Sequence, residues 1–132
     1  MTKLTALEDQ VIHMLLAGDD NVLSVLREQA KQATVRSREM TGVGFFTYFS
    51  VPPKAPRIPG TPKFQLTDVH GTADNVMHGV GFVLFVKDRA LLLLEGFTYD
   101  EPWPGEITGL KLAYSGGANR DMEEVRRELH KP

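Results

Sequence analysis

The sequence has no cysteine, no long apolar run and no excess of one charge, and each absence excludes a class of protein. Without cysteine, the chain cannot form disulfides, use a thiolate nucleophile or hold metal through sulfur. No stretch approaches the roughly 20 apolar residues of a membrane helix, and the N-terminus has no secretory pattern. Fifteen basic and seventeen acidic residues form no basic stripe for phosphates. We therefore expect a cytoplasmic protein that binds neither nucleic acid nor a membrane.

Helical patterns occupy the first quarter of the chain. Thr5-Ala6-Leu7-Glu8 reads as a capping box, and the apolar spacing after it predicts a helix from Ala6 to Ala17. A second N-cap at residues 19–21 precedes another apolar stripe, which predicts a helix ending near Ala33. Alternating, β-rich segments follow. The length of 132 residues suits one domain, so we predict a single α+β domain over residues 1–132, with two N-terminal helices packed on an antiparallel sheet of five or six strands.

Turn residues divide the rest of the chain. Thr41-Gly42 indicates a hairpin turn before the strand-like run Val43–Val51. Five prolines between Pro52 and Pro62 exclude an internal strand and predict an extended surface loop, with a proline-motif ligand as the alternative. One strand is predicted around residues 64–69 and another at residues 110–114. Residues 117–132 read either as a peripheral amphipathic helix or as a frayed tail.

The strongest strand pair is Val80–Lys87 with Ala90–Phe97, separated by Asp88-Arg89. A two-residue turn there places Phe82 opposite Glu95. Glu95 then lies among apolar side chains, where desolvation raises the pKa of a carboxyl group. The alternative is that Glu95 meets an arginine or a backbone amide. A register shift of one residue would move Glu95 to the other face of the sheet.

Both faces of this hairpin are apolar, whereas two helices can cover only one of them. Three candidates could cover the second face: the proline-rich loop, the C-terminal segment or a second subunit. We expect either a homodimer or a ligand groove on that face, with coverage by the chain's own loops as the alternative.

A polar, rigid corner follows the last central strand, and it supplies most of the candidate binding residues. They are Glu95, Phe97, Tyr99, Asp100, Glu101 and Trp103. Trp103 between carboxylates suits a protein partner or a cationic ligand, or else it packs on the sheet edge as core.

Two histidines are the other candidates for chemistry. His70 and His78 have Asp68 and Asp74 nearby, but their spacing matches no metal motif, so we expect no metal and no cofactor. Neither glycine pair completes a nucleotide fingerprint, and no serine has the context of a nucleophile. No catalytic residue is assigned; Glu95, His70 and His78 are the candidates.

Thr41–Phe46 (TGVGFF) and Leu94–Pro104 (LEGFTYDEPWP) resemble segments of a group of small, uncharacterised bacterial single-domain proteins. The resemblance implies a bacterial origin and transfers no activity, cofactor or catalytic residue. Two hypotheses remain. The first is a non-enzymatic binding module that engages a protein partner or a second copy through an apolar sheet face and the Tyr99–Trp103 corner. The alternative is a small enzyme or small-molecule-binding protein that uses Glu95, assisted by His70 or His78 and by Tyr99.

Overall fold

The computed structural model describes residues 2–60 and 62–131. Three helices are formed within those residues: α1 (Ala6–Leu15), α2 (Asn21–Gln32) and α3 (Met122–Leu129). The strands in the same residues are β1 (Thr34–Met40), β2 (Gly44–Ser50), β3 (Phe64–Leu66), β4 (Val69–Ala73), β5 (Val76–Lys87), β6 (Ala90–Thr98) and β7 (Lys111–Tyr114).

The N-terminal helices begin at the predicted caps. Thr5 Oγ1 accepts a hydrogen bond from the backbone N–H of Glu8, and the Glu8 carboxylate accepts one from the N–H of Thr5. The Asp20 carboxylate accepts from the first backbone amides of α2. These side chains satisfy amide groups that have no partner within the helix. Both helices end one or two residues earlier than predicted.

The strands form one antiparallel sheet in the order β1-β2-β6-β5-β4-β7, and β3 also pairs with β5. Strand β5 has twelve residues, so it pairs with β4 near its start and with β3 near its end. The prediction of an α+β fold with an antiparallel sheet is confirmed. The sheet has seven strands instead of five or six, because residues 64–73, where one strand was predicted around residues 64–69, form two short strands.

The register of the central hairpin differs from the prediction. Asp88 and Arg89 both have positive φ, as a two-residue hairpin turn requires, and Lys87 lies opposite Ala90. A β-bulge follows, because β6 uses an additional residue, Leu92, between its first pairs and the rest of the ladder. The placement of Phe82 opposite Glu95 is therefore wrong. Val83 lies opposite Glu95, and Phe82 lies opposite Gly96.

The three helices pack on one face of the sheet, which we call the covered face. Its inward side chains on the two central strands are Val80, Phe82, Leu84, Val86, Leu91 and Leu94, all at most 4% exposed. The buried apolar residues of α1, α2 and α3 belong to the same apolar cluster. Of the two alternatives for the C-terminal segment, the structure has the helix, with Val125 and Leu129 buried in the core.

The proline-rich loop also packs on the covered side. Ile58 is fully buried in the core, and its backbone N–H donates to the carbonyl of Arg89 at the β5–β6 turn. Gln29 of α2, itself fully buried, donates to the carbonyls of Pro56 and Arg89. The described residues of this segment form a loop as predicted, but it does not lie wholly at the surface, because Ala55 and Ile58 are buried. These contacts fix the loop against α2. None of the helices in residues 2–60 and 62–131 is long and apolar enough to cross a membrane.

Candidate functional site

The second face of the sheet carries large apolar side chains that belong to no part of the core cluster. We call this surface the open face. Its residues are all half-buried: Phe46, Tyr48, Val83, Phe85, Leu93, Glu95 and Phe97. In the described parts of the chain, neither the proline-rich loop nor the C-terminal helix packs there, since both lie on the covered side. Two of the three predicted covers of this face are therefore excluded.

The open face is built as rows of side chains that run across three adjacent strands, because directly paired residues in an antiparallel sheet point to the same side. One row contains Phe46 of β2, Glu95 of β6 and Val83 of β5. The next row contains Tyr48, Leu93 and Phe85 on the same strands. The result is an apolar surface of adjacent rows with one carboxylate, Glu95, near its centre.

The third row has glycine on two of its three strands. At one of these glycines, aromatic rings from β6 and the residue after it cover the backbone. Phe97 lies between Gly44 and Gly81. A Cβ atom at Gly81 would lie 2.5 Å from Cζ of Phe97 and 2.6 Å from the hydroxyl of Tyr99. The two rings meet edge to face at 5.4 Å. Phe97 and Tyr99 therefore cover the Gly81 backbone and extend the apolar surface from β6 towards β5.

Within residues 2–60 and 62–131, the side chain of Glu95 makes no hydrogen bond and no ion pair. Burial raises the pKa of its carboxyl group. The direction is the expected one, although the neighbours differ from those predicted. Its cross-strand partners are Phe46 and Val83, which offer no donor and no positive charge. The charged form of Glu95 is thus disfavoured by its surroundings.

Charges of both signs lie at the β1 margin of the open face. The guanidinium carbon of Arg36 is 5.6 Å from the ring centroid of Tyr48. Glu39 is paired with Phe46 in the ladder between β1 and β2, and its side chain is exposed. The open face therefore has an apolar centre and a charged rim, as protein interfaces do.

The predicted Tyr99–Trp103 corner is divided between the two sides of the sheet. Tyr99 is exposed and lies with Phe97 on the open side. Trp103 packs edge to face on Phe45 at 5.3 Å, and the Phe45 ring covers Gly96 on the covered side. The backbone N–H of Trp103 donates to the carbonyl of Gly42. Of the two alternatives for Trp103, the structure has the one in which it packs as core.

The two acidic residues of the corner contribute to its fold. Glu101 accepts hydrogen bonds from the backbone amides of Met77 and His78, at 3.0 and 2.8 Å, and these bonds lower its pKa. Asp100 is exposed in the turn and has a φ of 55°. Glu101 thus holds the start of β5 against the corner. The six candidate binding residues do not form one site; Glu95, Phe97 and Tyr99 remain together.

The candidate histidines and aspartates do not converge on Glu95. His70 is exposed on β4 and lies opposite Gly81, which places its Cα about 12 Å from that of Glu95 by strand spacing. Asp68 is paired with Arg120 at 2.8 Å, away from His78. In the part of the chain that the structure describes, no three potential ligands are grouped to hold a metal ion.

Two clefts occur at the periphery of the sheet. One, of about 370 Å³, is lined by residues that include His70, His78, Met77 and Tyr99. The other, of about 650 Å³, lies between α3 and the strand ends, with mostly polar walls. Glu95 lines neither cleft. The carboxylate therefore lies apart from both of these clefts.

Sequence reasoning missed a polar cluster on the covered side. Glu8 is 2% exposed, and Arg38 donates to both of its carboxylate oxygens, at 3.0 and 2.6 Å. The buried hydroxyl of Thr47 donates to the same group. Burial acts to raise the pKa of Glu8, but these hydrogen bonds and the one from Thr5 outweigh it and lower the pKa. The available signal was Thr47, a polar residue at an inward position between Phe45 and Phe49.

Comparisons of the chain with protein-family models, curated proteins and solved structures found no match. Inference about function therefore starts from the geometry of the two faces.

Proposed function

We propose that the protein is a non-enzymatic interaction module that binds a protein partner through the open face of its sheet. The observation that carries this proposal is the contiguous set of half-exposed apolar side chains across β2, β6 and β5. Soluble monomers rarely expose a contiguous apolar patch larger than a few hundred Å². From composition and resemblance we further propose that the module acts in the bacterial cytoplasm.

The chemistry of the open face fits a protein surface. Three of its seven residues are phenylalanine and one is tyrosine, and aromatic residues are enriched in interface cores because they bury a large area at low entropy cost. None of its seven residues lines either cleft, which suits another protein better than a small molecule, since small ligands are bound in concave pockets.

The raised pKa of Glu95 favours the alternative of a small enzyme or ligand-binding protein. A general acid or base also needs a substrate held within hydrogen-bonding reach, and a second group commonly acts on the same substrate. His70 lies too far from Glu95 for that, and neither cleft reaches the carboxylate. The interaction module therefore accounts for more of the open face than the enzyme does.

The absence of cysteine allows a direct test of the proposal. Val83→Cys places one thiol at the centre of the open face, and Met40→Cys places one at a 64% exposed position outside it. Each variant is labelled with a permeable maleimide in the cells that make the protein, and again as dilute purified protein. We expect Val83→Cys to react much more slowly in cells than when dilute, and Met40→Cys to react equally in both. Equal reactivity of Val83→Cys in both settings would contradict the proposal.

A further inference from the structure

We infer that the partner of the open face is a second copy of this chain, with the two open faces packed against each other about a two-fold axis. This inference rests on the proposed function and names its partner. It follows from the size of the face, from its charge pattern and from the need to cover it whenever the chain folds.

The side of the sheet that holds the open face has the extent of a dimer interface. The apolar rows cross three strands along about nine residues of β6, about 14 by 30 Å or about 430 Å², and the more polar strands β1, β4 and β7 extend that side to about 700 Å². A stable interface buries about 800 Å² of accessible surface on each partner, with an apolar centre and a polar rim. Two such sheets can pack face to face about 10 Å apart, with their side chains interdigitated.

The charged rim is complementary to itself. Arg36 lies beside Tyr48, whereas Glu39 lies opposite Phe46 in the neighbouring row. We place the two-fold axis between the two sheets, perpendicular to the strands and midway between these two rows. The row that contains Phe46 in one copy then lies over the row that contains Tyr48 in the other copy. Arg36 of one copy then lies opposite Glu39 of the other, and the symmetry repeats this contact. The same arrangement places the apolar rows in contact with each other.

The apolar character of the face favours a permanent partner. Permanent interfaces resemble a domain core cut in half, whereas transient ones are more polar. A second copy is present whenever this chain is made, so it can cover the face immediately after folding. The rim carries no single sign of charge that would select an acidic or a basic partner instead.

Sedimentation equilibrium of the purified full chain tests this inference. We expect twice the monomer mass of 14.7 kDa at micromolar concentration. Leu93→Glu places a second carboxylate in the apolar centre and should weaken the dimer more than about 100-fold. Met40→Glu makes the same kind of change outside the open face and should remain dimeric. Circular dichroism checks that each variant is folded; if Leu93→Glu fails to fold, Phe85→Glu takes its place with the same expectation.

The charged rim provides a test of the two-fold arrangement. Arg36→Glu alone should weaken the dimer about tenfold, because it places like charges opposite each other twice. The double variant Arg36→Glu with Glu39→Arg should return the affinity to within about threefold of the original. Failure of the double variant to recover affinity would overturn this arrangement of the two copies.

The outcomes separate this inference from the proposed function. A monomer at about 100 µM, together with protection of Val83→Cys in cells, would overturn the second copy and leave another protein as the partner. A monomer together with an unprotected Val83→Cys would overturn both. A dimer that persists in both Leu93→Glu and Phe85→Glu would also overturn the inference, because the contact would then lie elsewhere.

Discussion

Leu93 and Leu94 are neighbours on β6, yet Leu94 is fully buried and Leu93 is half-exposed. The two leucines represent the two faces of one sheet. On the covered face, three helices and the proline-rich loop pack over the strands. On the open face, side chains of the same kind have nothing over them in the described residues. The two faces therefore differ in what covers them and not in the kind of side chain they carry.

Each side of the sheet also holds one carboxylate in low-polarity surroundings. Glu8 receives four hydrogen bonds from Thr5, Arg38 and Thr47, and its pKa is lowered. Glu95 receives none from the described residues, and its pKa is raised by burial. A buried carboxylate is tolerated when donors surround it. The chain supplies those donors to Glu8. It supplies none to Glu95 within the described residues, and a partner on the open face would contact the exposed side of that carboxylate.

The largest expected difference between the two faces is the loss of stability when Leu94 or Leu93 is replaced by alanine. Leu94→Ala leaves a cavity in the core and should lower the free energy of unfolding by about 3 kcal/mol. Leu93→Ala should cost less than about 1 kcal/mol in dilute protein, because its surroundings are half solvent. Urea unfolding at nanomolar and at micromolar concentration measures both. At the higher concentration the cost of Leu93→Ala should rise; equal costs for both leucines in dilute protein would contradict the division into two faces.

A second pair of variants compares two arginines on β1. Arg38→Met leaves the buried Glu8 carboxylate without its cation and should cost about 3 kcal/mol at pH 7. Arg36→Met at the open rim should change dilute stability by less than about 0.5 kcal/mol. Since the lowered pKa of Glu8 stabilises the fold above its ordinary pKa, the cost of Arg38→Met should shrink as the pH falls below about 4. A cost that does not change with pH would show that the arginine acts by packing alone.

The smallest expected effect concerns Glu95. Its raised pKa means that the charged form opposes folding once the pH rises above the ordinary value for a glutamate, and that this penalty is absent at lower pH. Glu95→Gln should therefore raise stability at pH 7 by about 0.5 kcal/mol and change nothing near pH 4. Thermal melts at both pH values measure this. A loss of stability at pH 7 would mean that the carboxylate makes a favourable contact in the folded protein.

Local features of the fold could be predicted from the sequence, and contacts between distant segments could not. The caps at Thr5 and Asp20 and the turn at Asp88-Arg89 depend on neighbouring residues. The bulge at Leu92 was hidden in a run of four leucines, where every register offers the same side chains. The contact between Glu8 and Arg38 joins segments thirty residues apart, so no local pattern marks it.

The candidate site was located in part. The residues of β5 and β6 were enough to predict an apolar second face and a carboxylate, Glu95, in apolar surroundings. The neighbours of Glu95 required the register, and the division of the Tyr99–Trp103 corner required the packing of Trp103 on Phe45. That division removed the corner from the site and left the sheet face as its main feature.

The central claim is that the open face is buried against another molecule of the same chain. The rate at which purified Val83→Cys is modified, measured from about 0.1 to about 100 µM protein, tests this claim most directly. The claim predicts that the rate per molecule falls as the concentration rises, in parallel with the dimer fraction, while the rate of Met40→Cys stays constant. A rate at Val83→Cys that stays the same across that range would contradict it.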